Sequence, residues 1–207
     1  MVGVDNAVAH NTRGLRNFPF GAVGFEDVFI PDDNRIGLAG QGKQIAHTII
    51  GRHGRLSLTG LALGIHQRIY DVTASFSKER QRYGESLSNI PDVATRLFNI
   101  FSNLEISRSL AYRAAGLERD GAPSARLLAL AKKLNSELSC KSAQIAMEVH
   151  GGRANLQEFE IGQLLLDASM TLAPSGSADV LKKRIVDDIL GRRTMGWDVH
   201  NIGERHE

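Results

Sequence analysis

The chain has 207 residues, 42% of them apolar and 23% charged, an ordinary balance for a soluble globular protein and room for one full domain and a piece of another. A formal net charge of +2 with no basic block argues against a nucleic-acid partner. Cys140 is the single cysteine, so no intrachain disulfide can form, and a reduced, inert, buried thiol is expected. No apolar run approaches the ~18 residues a membrane span requires, and the opening MVGVDNAVAHNTRG has no apolar signal core; a cytoplasmic protein without a membrane partner is expected.

In chain order, VGVDNAVAH suggests a first strand within residues 1–20. GAVGFEDVFI, with Val23, Phe25, Val28, Phe29 and Ile30 ahead of Pro31 and PDDN, predicts a strand followed by a turn. Two strands make no independent sheet, so this piece must be covered by helices or completed by another chain. From Gly42 the pattern is helical for about 35 residues, beyond the ~11–12 residue mean, and Gly51, Gly54, Gly60 and Gly64 interrupt it. Such glycines cost about 1 kcal/mol each against alanine and fit close packing or a close ligand. Gly84 and Pro91 break the helix. The 3–4 spacing then predicts helices over about Asp92–Leu117 and Ala125–Val149, with Ser124 as a cap. The first carries Val93, Leu97, Ile100, Phe101, Leu104, Ala111 and Ala114 on its inner face, the second Leu127, Leu130, Leu134, Leu138, Ile145 and Val149. Phe98 beside Phe101 and Leu128 beside Leu127 give more than one apolar face. Helices over about Gln157–Met170 and Ala178–Leu190 follow, and then a polar tail. Long helices joined by short loops predict a mainly α fold, an up-down bundle preceded by a short β remnant.

The seven histidines show no metal-ligand spacing, and there is no GxSxG or GxxxxGK[ST]. These residue patterns alone define a helical bundle and no chemistry.

Four segments in fixed order carry more: GAVGFEDVFIP, GRLSLTGLALGIHQRIYDVTASFSKERQRYG, HGG and SGSADVLKKRIVDDILG. Over about residues 13–191 the chain resembles the acyl-CoA dehydrogenase family, specifically the end of its middle β-domain followed by its C-terminal helical domain. The resemblance implies residues 1–40 as a β-domain remnant, 41–191 as the bundle and 192–207 as the tail. It also implies FAD, an acyl-CoA substrate oxidised between its α and β carbons, and an oligomer in which one subunit reaches into a neighbour's FAD site. Arg80 matches an arginine on a neighbour's FAD pyrophosphate, a task suited to a planar guanidinium. Tyr83 matches an aromatic near the flavin, Gly84 the turn glycine, and Gly151 and Gly152 a glycine pair beside the cofactor. Ser177 and Asp179 stand where the family has polar residues near the adenine portion of FAD, and Arg55 matches an arginine near the CoA region.

The departures are as informative. Glu148 replaces a glutamine, and a carboxylate near a pyrophosphate is unfavourable unless protonated or turned away. Ala154 replaces a glycine and Leu166 an arginine. Ser175 occupies the place of the catalytic glutamate, and Gly54 the alternative base position, so no catalytic residue is assigned; a serine hydroxyl is too weak a base without an activating partner. The resemblance leaves the family's N-terminal domain and most of its β-domain outside this chain. The reading is a shortened acyl-CoA dehydrogenase-like subunit in a homo- or hetero-oligomer, inactive alone. Its alternatives are an inert structural or regulatory module that has lost FAD, and a flavin monooxygenase-like relative.

Overall fold

The computed structural model describes residues 3–192; beyond its first residue, the polar tail expected over 192–207 lies outside the described residues. Strand β1 (Val4–Ala9) pairs antiparallel with β2 (Gly21–Phe25), Val4 opposite Phe25 and Ala9 opposite Gly21. The second strand does not run on to Ile30 as its apolar residues suggested. The Glu26 N–H closes the ladder on the Gly3 carbonyl at 2.8 Å, and Asp27 then turns the backbone into the left-handed region at φ 46°. The helices do not cover this piece: Val23, Phe25, Phe29 and Ile30 are exposed, Phe29 by 84%. It is tied to the bundle by the segment after β1, where the Leu15 N–H donates to Asp167 Oδ1 at 2.7 Å and Gln163 Nε2 donates to the Arg13 carbonyl. Gly14 is required at this joint, since a Cβ there would meet the Leu166 carbonyl at 2.3 Å.

The helical run from Gly42 is continuous but not uniform. Helix α1 (Gly42–Ile49) passes through a π turn at Ile50–Gly54 into α2 (Arg55–Glu79). Such wide turns are rare and concentrate at functional sites. After α2, a hairpin of β3 (Gln81–Arg82) and β4 (Glu85–Ser86) leads to α3 (Pro91–Arg119), which has proline at its first position, where the absent N–H costs nothing. Helices α4 (Ala125–His150), α5 (Ile161–Met170) and α6 (Ala178–Ile189) complete the fold. The fourth predicted helix starts at Ile161 rather than Gln157, because Leu156 and Phe159 close successive tight turns on the carbonyls of Arg153 and Leu156. Ser124 does not cap α4 with its side chain; its hydroxyl donates to Glu118 instead.

Helix α4 is the axis of the bundle, packing on α2, α3, α5 and α6. Ile65, Ile69, Ile100, Ala143, Ala146, Ile161, Leu164 and Ala168 form the main core, and Leu128 joins Ala114 and Ala131 in a second. Leu128 is therefore core rather than part of an outer face. Cys140 is half-buried, and burial raises its thiol pKa. The predicted inner stripe of α4 is displaced: Leu127, Leu130, Leu134, Leu138 and Ile145 are half-buried, and only Val149 of that set is buried. The enclosed face carries Lys132, Asn135, Ser136, Ser139 and Ser142. A helix surrounded by others admits close neighbours where its residues are small, and some of these serine hydroxyls find partners within the bundle, although Ser139 Oγ does not. Ser142 does so, hydrogen-bonding His66 Nε2 at 2.8 Å and Asn103 Nδ2 at 3.2 Å. His66 is completely buried, and burial lowers its pKa to about 4, leaving it neutral.

Candidate functional site

The residues singled out in the sequence gather at two poles of the bundle. At the first, the π turn presents Gly54 directly against Ser175: a Cβ on Gly54 would lie 2.7 Å from Ser175 Oγ. Two positions 121 residues apart thus meet side chain to backbone, and neither is a carboxylate. Ser175 sits in the left-handed region at φ 55°, with Gly176 following at φ 112°. A non-glycine residue held there stores strain of roughly 1–3 kcal/mol unless its surroundings fix it. The fixing group is Lys132 of α4. Its Nζ donates to the Leu172 carbonyl at 2.7 Å and the Gly176 carbonyl at 2.8 Å, clamping both ends of the loop. On the other side, Arg52 anchors the π turn through Glu118 at 2.6 Å, and Ser124 donates to the same carboxylate. Burial alone would raise the Glu118 pKa, but the Ser124 hydroxyl and Arg52 hold it below the ordinary carboxylate range.

Two buried cations stand at this pole. Arg55 and Lys132 are only 3% and 1% exposed. Burial, then the neighbouring Arg184, lowers the Arg55 pKa to about 10; burial, then Arg55, lowers that of Lys132 to about 8. Glu137 acts on Lys132 in the opposite sense, but it is paired with Lys133 at 2.6 Å. The guanidinium of Arg55 thus belongs to the pole that holds Ser175. Ser177 and Asp179 open α6 at the same pole, both exposed, with Asp179 paired to Lys182 at 3.2 Å.

The second pole holds Arg80, Tyr83, Glu148, Gly151 and Gly152. Arg80 leaves α2 in an extended conformation, and its carbonyl accepts from the Leu87 N–H at 2.9 Å. The hairpin that follows turns on Tyr83 and Gly84, both at positive φ (56° and 83°), the pattern of a two-residue primed turn that suits strand twist. Tyr83 is 82% exposed, with the Arg82 guanidinium 5.0 Å from its ring centre. Phe76, one turn before Arg80, stacks on His150 at 4.2 Å, so the end of α2 meets the end of α4 next to Gly151. Gly151 closes α4 at φ 60°, a conformation that favours glycine. Gly152 has an ordinary φ and open space where a Cβ would project, so the chain itself does not require glycine there. Glu148 is paired with Arg96, whose Nε donates to it at 3.1 Å and which also pairs with Asp92. Ala154, beyond the pair, is buried in the core, and Leu166 is exposed on α5.

The poles are far apart. Lys132 and Gly151 are 19 positions apart along α4, roughly 28 Å at about 1.5 Å per residue. Arg55 and Arg80 stand at opposite ends of α2, and one copy of the chain does not bring the two groups together. Among the described residues there is no cluster of three His, Cys, Asp or Glu able to hold a metal, and no helix long and apolar enough to cross a membrane.

Residues 40–190 match the acyl-CoA dehydrogenase C-terminal domain. The chain belongs to the acyl-CoA dehydrogenase family. It is 27% identical over 182 residues to the probable acyl-CoA dehydrogenase YngJ of Bacillus subtilis, covering 87% of this chain and 47% of that one. It is 32% identical over 180 residues to an L-prolyl-[peptidyl-carrier protein] dehydrogenase of Serratia, covering 86% and 46%. Butyryl-CoA dehydrogenase of Megasphaera elsdenii shares the fold with a TM-score of 0.88 at 24% identity, covering 91% of this chain and 49% of that one. PigA with FAD and proline superposes with a TM-score of 0.86 at 29% identity, covering 93% and 50%. The chain spans about half the length of these acyl-CoA dehydrogenase relatives.

Within this family framework, the sequence had not singled out Lys132, the Arg52–Glu118–Ser124 anchor or the Arg96–Glu148 bridge. Lys132 was hidden in an ordinary Ala-Lys-Lys run. Its one signal is the spacing Leu128, Lys132, Asn135, Ser139, Ser142 and Ala146, a helical face on which a lysine is out of place.

Proposed function

We propose that this chain is a base-lacking part of a subunit that supports FAD-dependent α,β-dehydrogenation of an acyl-CoA thioester within an oligomer of acyl-CoA dehydrogenase-like chains, residues 1–40 being the β remnant and 41–191 the bundle. The observation that carries the proposal is the separation of the two poles. A cofactor touched by Arg80, Tyr83, Gly151 and Gly152 at one end and by Ser177 and Asp179 at the other requires two chains, each contributing a different pole.

The second pole fits a dinucleotide. Its arginine and tyrosine are exposed, and its glycine corner is open to an approaching group. There the Arg80 guanidinium would hold phosphate oxygens, Tyr83 would cover the ring system, and Gly152 would admit the cofactor close to the backbone. When bound there, FAD would supply the acceptor for the hydride that leaves the substrate β-carbon. The α-proton needs a base, and the meeting of Gly54 and Ser175 leaves none at either of these two positions, so another chain supplies it. Arg55 serves the anionic CoA side of the substrate. Exposed Phe98, Ile106 and Tyr112 on α3, with the half-buried leucines of α4, provide apolar surface for oligomer contacts.

The test is purification from the native source followed by flavin content per complex. The expected result is a yellow complex with a second acyl-CoA dehydrogenase-like chain, and no turnover of any acyl-CoA by this chain with FAD alone. Arg80→Ala should weaken FAD retention by about 10–150-fold, the worth of one charge-assisted contact, with the helical content unchanged. Arg80→Lys should rescue only in part, because it lacks the fork. A complex without flavin overturns the proposal. It would favour a second reading, an inert module of the same fold, which the Arg96–Glu148 bridge supports because it places a paired carboxylate beside the glycine corner.

A further inference from the structure

The end of α2 and the start of α5 border a cleft of about 320 Å³ that support of FAD does not use. Asp71, Phe76 and Glu79 line it from α2, residues 158–161 line it from the other side, and so does His150, the last residue of α4. Three rings make its apolar part: Phe76 stacks on His150 at 4.2 Å, and Phe159 meets Phe76 edge-on at 5.8 Å. Two of its acidic groups are engaged, Glu160 by Arg68 Nε at 3.0 Å and Asp71 by Gln67 at 2.9 Å. The other two, Glu79 and Glu158, are exposed and hold no hydrogen bond or ion pair among the described residues. Arg153 lies over the Phe159 ring at 5.7 Å but does not line the cleft.

His150 supplies the second observation. It is 6% exposed, and its Nδ1 lies 2.8 Å from the Ala146 carbonyl. A carbonyl only accepts, so the proton of the neutral ring is on Nδ1 and Nε2 carries the lone pair. Burial lowers the His150 pKa and keeps the ring neutral. No donor among the described residues reaches Nε2, and a buried acceptor left unpaired is costly. The helix ends add to the same sign, because α2 and α4 both finish at this cleft and a helix C-terminus is negative.

We propose that this cleft binds an organic ammonium ion, which donates an N–H to His150 Nε2, pairs with Glu79 and Glu158, and lays its carbon chain against Phe76 and Phe159. A metal ion does not fit, since among the described residues no three His, Cys, Asp or Glu gather to ligate one. An ammonium fits because it combines positive charge, several N–H donors on one atom and an apolar chain that aromatic walls accept.

The experiment uses the full chain at pH 7 without FAD or a partner, so its outcome is independent of the oligomer proposal. Butylammonium chloride replaces sodium chloride at constant ionic strength, and the imidazole nitrogens are followed by NMR. The wild type should show a saturable shift of His150 Nε2. His150→Phe keeps a ring to stack on Phe76 and removes the acceptor; calorimetry should show binding at least about tenfold weaker, the lower end of a charge-assisted contact. Glu79→Gln combined with Glu158→Gln should weaken it by about two- to thirtyfold, the worth of two exposed ion pairs. Butyltrimethylammonium, which has the charge and the chain but no N–H, should bind at least about tenfold more weakly than butylammonium. Nα-acetyl-lysinamide separates the sources: binding tighter than butylammonium assigns the ammonium to a lysine of another protein, and binding no tighter assigns it to a free amine. A His150 signal that follows ionic strength alone overturns the inference. So does equal binding of butyltrimethylammonium, or full affinity in the doubly substituted glutamine variant.

Discussion

Lys132 sets a pH dependence of stability that can be worked out from its surroundings. It is 1% exposed, faces Arg55, and is helped only by Glu137, and its pKa falls from 10.5 to about 8. A lysine with a depressed folded pKa binds fewer protons folded than unfolded between those values, so stability rises with pH across that window. From pH 7.5 to 9.0 the gain from this one group is about 1 kcal/mol. Toward the top of this interval the raised Cys140 pKa begins to act in the opposite direction and trims the gain. Urea unfolding at the two pH values measures it. Lys132→Met should flatten the slope. Its effect on absolute stability is less telling, because stranding two buried carbonyls costs about 1–3 kcal/mol each and removing a buried charge offsets much of that. A wild type no more stable at pH 9.0, or a Lys132→Met variant with the same rise, would refute the reasoning.

Three other outcomes follow from local contacts. His66, with its pKa lowered to about 4 from 6.5 by burial, binds fewer protons folded than unfolded, so stability falls as pH drops below 6.5, by about 2 kcal/mol between pH 7 and 5; His66→Gln should reduce that loss in acid unfolding curves. Gly14→Ala drives a methyl into the Leu166 carbonyl and should cost about 1–3 kcal/mol in chemical denaturation, with faster proteolysis near residue 14 as the local sign. Glu118→Gln removes the charge that anchors Arg52 and should raise amide exchange across Ile50–Gly54 while leaving α4 protected; unchanged exchange in the π turn would discount the anchor.

The helix spans were readable because spacing and punctuation are local properties. Pro91 starts α3, Ser124 precedes α4 and Gly151 ends it, all within a residue or two of expectation. The inner face of α4 was not readable. Leucines at 3–4 spacing predict the buried side of a helix with one covered face, and α4 is covered on most of its circumference, so its leucines fall at the margins. The remnant strand was overextended for a related reason: Val28, Phe29 and Ile30 have the apolar character of a strand, but Asp27 has already turned the chain. For the site, the sequence located Gly54, Ser175 and the Tyr83–Gly84 turn, but not what holds them. Lys132 acts on carbonyls 40 and 44 positions away, and Arg52 on a carboxylate 66 away. A carbonyl has no residue identity to read, and the Ala-Lys-Lys run looks like solvent-facing charge.

The π turn also fixes how chain length may vary here. A wide turn takes up more residues than an α turn, and each residue rotates an α-helix by about 100°. Deleting one residue between Ile50 and Gly54 would convert the wide turn to an ordinary one, leaving both helices intact and their hydrogen bonding regular. Because the wide turn absorbs its extra residue, α2 would keep nearly the same face toward α4, and only the backbone beside Ser175 would be reshaped. A single-codon deletion inside α2 itself, by contrast, would turn every later residue of the helix by about 100°. Among length variants of this chain, the loss of one residue should therefore be better tolerated within residues 50–54 than within the regular turns of α1 or α2.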